Sequence, residues 1–371
     1  MAKRPSLVVW RPFIAHDNPA AAILFPSGFP LHQHLHTAGQ KRNLTVLAGH
    51  NVTQLLDRAG EMGNLFFKLF HSCGIGCDPL WVKRRRVFLA CFSWGATVGK
   101  GRYVMTVLVQ TRGRVRIISI NRPEVRNAVN PDTAAALYEA FMAFETDDGV
   151  DVAILTGGQT TFCAGFDLKA AAGDLGADWQ NTIAIPDDWQ DAQAQPIPGP
   201  MGPSRLMLSK PVIAAVEGHA VAGGLELAAW CDMRVASEAA VFGVFCRRWG
   251  VPLIDGGTVR LPRILGQGRA NDLILTGRPV SGLEAHQIGL ADRLCPEGHA
   301  LEEALVLAES LTRFPQACLR ADFLSARPSG TNLAQALRRE WASFEAFATE
   351  GQKGAARFAA GKGRGGGFSD I

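Results

Sequence analysis

Residues 210–232, KPVIAAVEGHAVAGGLELAAWCD, constrain this chain more than any other stretch. Val212 to Val216 is an apolar run of strand length, bounded by Pro211 and by Glu217-Gly218. Such a run predicts a strand buried on both faces. A turn of small residues follows, from His219 to Gly224, and then Leu225 to Trp230 is apolar and helix-forming. Strand, glycine turn and helix together aim backbone N–H groups outward at a helix N-terminus, where a developing anion is stabilised. Glu226 lies three residues after Gly223, close to the face those groups serve. An anion site beside a carboxylate suits enolate chemistry. The same residues also fit plain close packing of Gly-Gly and a glutamate that complements the helix dipole, because a lone glycine-rich turn is a weak motif.

A second stretch repeats the pattern. Val152 to Leu155 is another short apolar strand, Thr156 to Thr161 a loop, and Phe162-Cys163-Ala164-Gly165-Phe166-Asp167-Leu168 leads into a helix. Two such ends can each offer one N–H to a shared oxygen. With NRPEVRNAVN at 121–130, FCAGFDL at 162–168, KPVIAAVEGHAVAGGLELA at 210–228, FG at 242–243 and GVPLIDGGTVRLPRILG at 250–266, the sequence resembles the crotonase (enoyl-CoA hydratase/isomerase) family over roughly residues 105–371. Together these motifs are specific, although none is so alone.

Charge divides the chain unevenly. Residues 1–104 hold 13 Lys/Arg against 4 Asp/Glu, whereas the whole chain is only +4, so the remainder is mildly acidic. His32, His34, His36, His71, Cys73 and Cys77 supply no recognisable set of four zinc ligands. Lys83 to Arg86 is a basic run of the kind that usually lies in solvent. Residues 1–104 therefore read as a basic, poorly ordered extension from an upstream start codon, with an ordinary chain start at Met105. No apolar stretch has the length of a membrane helix, and the start lacks the apolar core of a secretory signal. The eight cysteines lack a disulfide-framework spacing and read as reduced thiols in the cytoplasm.

Within the body, Val104 to Val109 and Val115 to Ile120 predict a β-hairpin, with Thr111 to Arg114 as its turn. Asn130-Pro131 predicts a helix start, with Leu137, Phe141 and Phe144 on its core face. The segment 173–204 is rich in proline and reads as a surface loop; its Trp179 and Trp189 either line an acyl pocket or anchor the loop. Met233 to Ala236 and Ala240 to Val244 read as short strands, and Gly256-Gly257-Thr258 as a helix start. From Leu301 the chain reads as helices, with Leu333, Leu337, Trp341, Phe344 and Phe347 as one apolar stripe.

The resemblance implies the rest. It implies an α/β fold, a crotonase-like spiral of ββα repeats over 105–280 followed by a C-terminal helical region over 281–371. It implies an acyl-CoA thioester substrate, no cofactor beyond the CoA of that substrate, a homotrimer or hexamer, and no nucleic-acid or membrane partner. The oxyanion donors would be the backbone N–H groups of Ala164 and Gly223, and Ala164, Gly165, Phe166, Asp167, Leu168 and Gly223 would contact CoA or substrate. Glu226 matches one of the two carboxylates of family hydratases. At the place of the other stands Cys246, a small wall residue or a nucleophilic thiol. Asp255 is either the second carboxylate or the N-cap of its helix. The leading expectation is syn hydration of a 2-enoyl-CoA through an oxyanion-stabilised enolate. The alternatives are a double-bond isomerase and an idle acyl-CoA-binding paralogue.

Overall fold

The computed structural model describes residues 105–172, 182–344 and 350–362. The 1–104 extension, its His and Cys groups and basic run, Trp179 and Phe347 lie outside the described residues. Strands β1 (Val107–Arg112) and β2 (Val115–Ile120) form the expected hairpin. The first strand runs further along the chain than its apolar residues suggest, because Arg112 pairs with Val115 and leaves a two-residue turn. Gly113 takes φ 57° in that turn, as tight hairpins require. On an exposed edge strand, polar residues such as Thr111 and Arg112 pair their backbones at no burial cost.

The later strands are β3 (Val152–Thr156), β4 (Val212–Val216), β5 (His219–Val221), β6 (Met233–Ser237), β7 (Val241–Gly243), β8 (Val280–Ser281) and β9 (Arg293–Cys295). The larger sheet has the order β1-β2-β3-β4-β6-β9 and is parallel after the hairpin. The smaller one has the order β5-β7-β8. The helices are α1 (Pro131–Thr146), α2 (Leu168–Ala172), α3 (Gly223–Trp230), α4 (Gly257–Leu265), α5 (Gln267–Thr276), α6 (Gly282–Gln287), α7 (Ala300–Leu311), α8 (Gln316–Ser325), α9 (Gly330–Trp341) and α10 (Gln352–Ala359).

Every residue of β3 and β4 is buried, as their unbroken apolar runs predict. Alternate side chains serve two cores. Ala153, Leu155, Ala214 and Val216 join Leu137 and Phe141 of α1, whereas Val152, Ile154, Ile213 and Ala215 join Ala304, Leu305 and Ala308 of α7. Fully burying one such Val, Leu or Ile side chain contributes about 1.5–3 kcal/mol. Helix α1 begins as its sequence indicates, with Asn130 Oδ1 accepting from Thr133 N at 3.0 Å and Pro131 at the first helical position. Its far end is closed by the buried Lys210, whose Nζ donates to Phe144 O at 2.9 Å and Asp147 O at 2.8 Å. A cation there satisfies carbonyls that the helix leaves open.

Parallel bridges Val129–Phe166 and Cys163–Ala220 carry the pairing pattern of the small sheet back to earlier turns of the chain. Each turn thus lays a strand in the large sheet, then a short extended piece in the small one, then a helix. β3, Cys163 and α2 make one turn, and β4, β5 and α3 the next. This is the spiral of ββα repeats. Trp189 does not line an acyl pocket. It is buried in a small core with Val259, Ala334 and Leu337, and its Nε1 donates to Gln195 O at 2.6 Å. Among the described residues no helix is long and apolar enough to cross a membrane.

Candidate active site

The chain enters α3 through Ala222, whose φ of 53° and ψ of −127° are rare for a residue with a side chain. Strain of this kind costs on the order of 1–3 kcal/mol and concentrates at functional sites. Gly223 and Gly224 then open the helix. A methyl on Gly224 would lie 2.1 Å from Cys163 O, so only glycine lets this turn close on the preceding one. Across the contact, Gly165 has φ 95°, and a methyl there would lie 3.0 Å from Gly223 N. The two glycine-bearing segments singled out in the sequence therefore meet backbone to backbone.

One expectation for that segment needs correction. The N–H of Ala164 is already committed, because it donates to Arg126 O at 3.0 Å. Asp167 is committed as well: its Oδ1 accepts from Lys169 N at 3.1 Å, capping α2, and its Oδ2 pairs with Arg122 at 3.1 Å. Its carboxylate is scaffold, although Asp167 lines the cleft together with Ala164, Phe166 and Leu168. Motif spacing does not reveal which of five successive amides points outward.

The cleft has a volume of about 390 Å³. Arg126 and Lys169 stand on its exposed rim, and Glu226, Cys246 and Asp255 are buried in its wall beside Gly223. Phe245, Val251, Pro252 and Ile254 give it an apolar side. Glu226 Oε1 accepts from the N–H groups of Asp255 and Gly257, each at 2.9 Å. Asp255 Oδ1 accepts from Met201 N at 2.9 Å and from the Ser204 hydroxyl. The helix-cap alternative for Asp255 is thereby overturned. Gly256, with φ 92°, occupies the N-cap position of α4, and the Asp255 side chain turns instead to the 201–204 segment.

Electrostatics separates the two carboxyl groups. Burial pushes Glu226 well above the usual carboxylate range, and the charges of Asp255 and Glu340 push further. Burial raises Asp255 too, but the bonds from Ser204 and Met201 and the charges of Arg205 and Arg260 oppose it. Burial pushes the Cys246 thiol up to about 12, with Glu226 adding to the effect, which disfavours the thiolate that a nucleophile needs. Its role is that of a small wall residue.

One participant went unseen in the sequence. Glu340 of α9 is buried behind the start of α4, where it accepts from Gly256 N, Thr258 N and the Thr258 hydroxyl. A signal existed: Glu340 falls three residues after Leu337, on the side of the helix that the apolar stripe marks as core.

A stability consequence follows from Glu226. A carboxyl group whose folded pKa is raised is most favourable below its unfolded value, and that advantage is lost as pH rises through the folded one. Glutamine at this position accepts the same two amides without the charge. Glu226→Gln is expected to unfold at a higher temperature than the parent at alkaline pH, with the difference vanishing as pH falls into the carboxylate range. Melting curves of both proteins across pH check this.

Comparison with known proteins gives concordant matches. The family model described as enoyl-CoA hydratase/isomerase matches residues 110–363. A probable enoyl-CoA hydratase of Rhizobium meliloti is 38% identical over 268 residues, which is 69% of this chain and 95% of that protein. Among solved structures, an enoyl-CoA hydratase from Mycobacterium tuberculosis is 35% identical with a TM-score of 0.52, covering 69% of this chain and 96% of its own. A carnitinyl-CoA hydratase from Mycobacterium avium is 31% identical with a TM-score of 0.58, over 69% and 96%.

Proposed function

The chain belongs to the enoyl-CoA hydratase/isomerase family, and from that premise we propose that it is an enoyl-CoA hydratase, adding water syn across the double bond of a 2-enoyl-CoA thioester. The observation that carries the reading is the pair Glu226 and Asp255. Both are buried in the cleft wall, and each has one carboxylate oxygen held by protein donors.

The thioester oxygen would sit where the two glycine segments meet. Gly223 N–H is one donor. The second, in place of Ala164, we assign to the Phe166 amide, because Ala164 N–H is committed to Arg126, Gly165 packs so closely on Gly223 that a methyl there would lie 3.0 Å from Gly223 N, and the next residue, Phe166, lines the cleft. Two aligned donors stabilise the enolate oxygen as charge builds on it. The carboxyl pair keeps one proton, since both groups are buried and the charge of Asp255 acts against ionisation of Glu226. We place it on Glu226, whose ionisation is opposed by burial and by the charges of Asp255 and Glu340, whereas the burial of Asp255 is countered by the Ser204 and Met201 bonds and by the charges of Arg205 and Arg260. Asp255 then takes a proton from water as the water oxygen bonds to C3, and Glu226 delivers its proton to C2. The CoA of the substrate is the only cofactor this needs. Arg126, Lys169 and the buried Arg248 suit its phosphates.

The same reading makes the working form a homotrimer or hexamer in the cytoplasm. Helix α8 buries none of its residues, and Leu275, Leu283, Val306 and Phe314 are exposed, which leaves apolar surface for further copies. The free thiols of Cys163, Cys231, Cys246, Cys295 and Cys318 fit a reducing compartment.

The test is incubation with 2-enoyl- and 3-enoyl-CoA thioesters in ¹⁸O-labelled water, followed by mass spectrometry. Labelled 3-hydroxyacyl-CoA is expected from the 2-enoyl substrates. Double-bond migration without label would make the protein an isomerase, and thioester binding without turnover an idle paralogue.

A further inference from the structure

The loop that opens α4 is held from two sides. Its successive amides alternate in direction: Asp255 and Gly257 donate to Glu226, whereas Gly256 and Thr258 donate to Glu340. The Thr258 hydroxyl adds a further bond to Glu340 at 2.5 Å. Gly256 takes φ 92°, which favours glycine, and both glycine positions are crowded. A methyl on Gly257 would lie 2.9 Å from Glu226 Oε1, and one on Gly256 would collide with the Arg260 guanidinium at 1.7 Å. One carboxylate of the clamp lines the cleft, while the other reaches in from a helix 84 residues further along the chain and does not line it.

We infer that Glu340 is a positioning residue for the reaction: by gripping alternate peptides of the 255–258 loop, it fixes the amides on which Glu226 rests and the direction in which Asp255 leaves the backbone. The inference rests on the hydratase reading above. It extends the active site to α9, an element that contributes nothing to the cleft lining. It also couples that helix to proton transfer, because the Glu340 charge acts on Glu226 across the loop. The groups that face Glu226 are Asp255, the Cys246 thiol, Glu340 and Arg260. Of these, Asp255 and Glu340 oppose its ionisation and Arg260 favours it.

Glu340→Gln keeps one acceptor oxygen and loses the other, so one side of the clamp opens. The expected result is a fall in kcat of roughly tenfold or more, as misplaced groups produce, with KM within about twofold. The alkaline limb of the kcat profile should move to lower pH, because a negative charge that held the Glu226 proton is gone. Hydrogen exchange at the amides of Asp255 and Gly257 should quicken, although both donate to Glu226 and neither touches Glu340. Thr258→Val removes only the hydroxyl bond and keeps the Glu340 charge, so kcat and exchange should shift in the same direction by a smaller factor while the alkaline limb stays in place; it decides the matter if Glu340→Gln does not fold. A Glu340→Gln protein that melts lower, yet keeps parental kcat, pH limb and exchange at residues 255 and 257, would overturn the inference and leave Glu340 a plain helix cap. Should the parent turn over no thioester, the hydratase reading fails by itself, and the exchange measurement still decides whether Glu340 sets the loop.

Discussion

Glu226→Gln should lower kcat by 10²–10⁴-fold while leaving thioester binding nearly unchanged, the range that general acid–base groups supply. Glutamine preserves the shape and both amide bonds of Glu226, so the loss would report the proton and not the fold. Asp255→Asn should cost a similar factor. Asparagine retains the acceptor oxygen for Met201 N and the Ser204 hydroxyl, and an asparagine at a helix cap would be harmless, but Asp255 does not cap α4. Groups acting as a unit lose activity non-additively, so the double variant should fall little below either single one. Steady-state kinetics of the three variants, with binding of a non-reactive acyl-CoA as control, reads all of this. A neutral Asp255→Asn would remove the second carboxylate from the mechanism and leave a single proton carrier, which suffices for an isomerase.

Gly223→Pro should cost about 10²–10³-fold in turnover, the effect of deleting one oxyanion donor. Proline has no N–H, and the first position of a helix is where its ring is best tolerated. The control is Gly223→Ala, which keeps the donor. Its methyl would meet the Met201 thioether at 2.8 Å, the far end of a flexible side chain that can yield, so alanine should be much milder. Circular dichroism of both variants separates loss of the donor from loss of the fold. Parental turnover in a folded proline variant would take Gly223 out of the oxyanion site.

The large sheet was legible because its signal is local. Two unbroken apolar runs, Val152 to Leu155 and Val212 to Val216, became strands buried on both faces, the first extended by Thr156, and Asn130-Pro131 became a capped helix start. Glu226 and Gly223 were legible for the same reason, since one strand–turn–helix segment places both. What sequence did not reveal depends on direction or distance. Whether Ala164 or Phe166 presents its amide to the cleft turns on the left-handed φ of Gly165, and a motif string does not carry dihedral angles. The partners of Asp255, Met201 and Ser204, lie more than fifty residues away, so its local position before Gly256 suggested a cap. Glu340 was passed over as a polar residue among Leu337, Trp341 and Phe344, because nothing near it in the chain shows that it meets Gly256 and Thr258.

The spiral also decides which parts of this protein are free to vary. Successive turns stack like storeys, and the proposed oxyanion site is the seam between two of them, closed by Gly165 against Gly223 and by Gly224 against Cys163. Among the described residues, the segment 182–199 lies between those storeys along the chain and lines no part of the cleft. Its length and composition can drift while the seam keeps its dimensions. Selection for new acyl groups would act on the apolar side of the cleft. The enolate-stabilising frame would be inherited unchanged, and one frame could come to serve many thioesters.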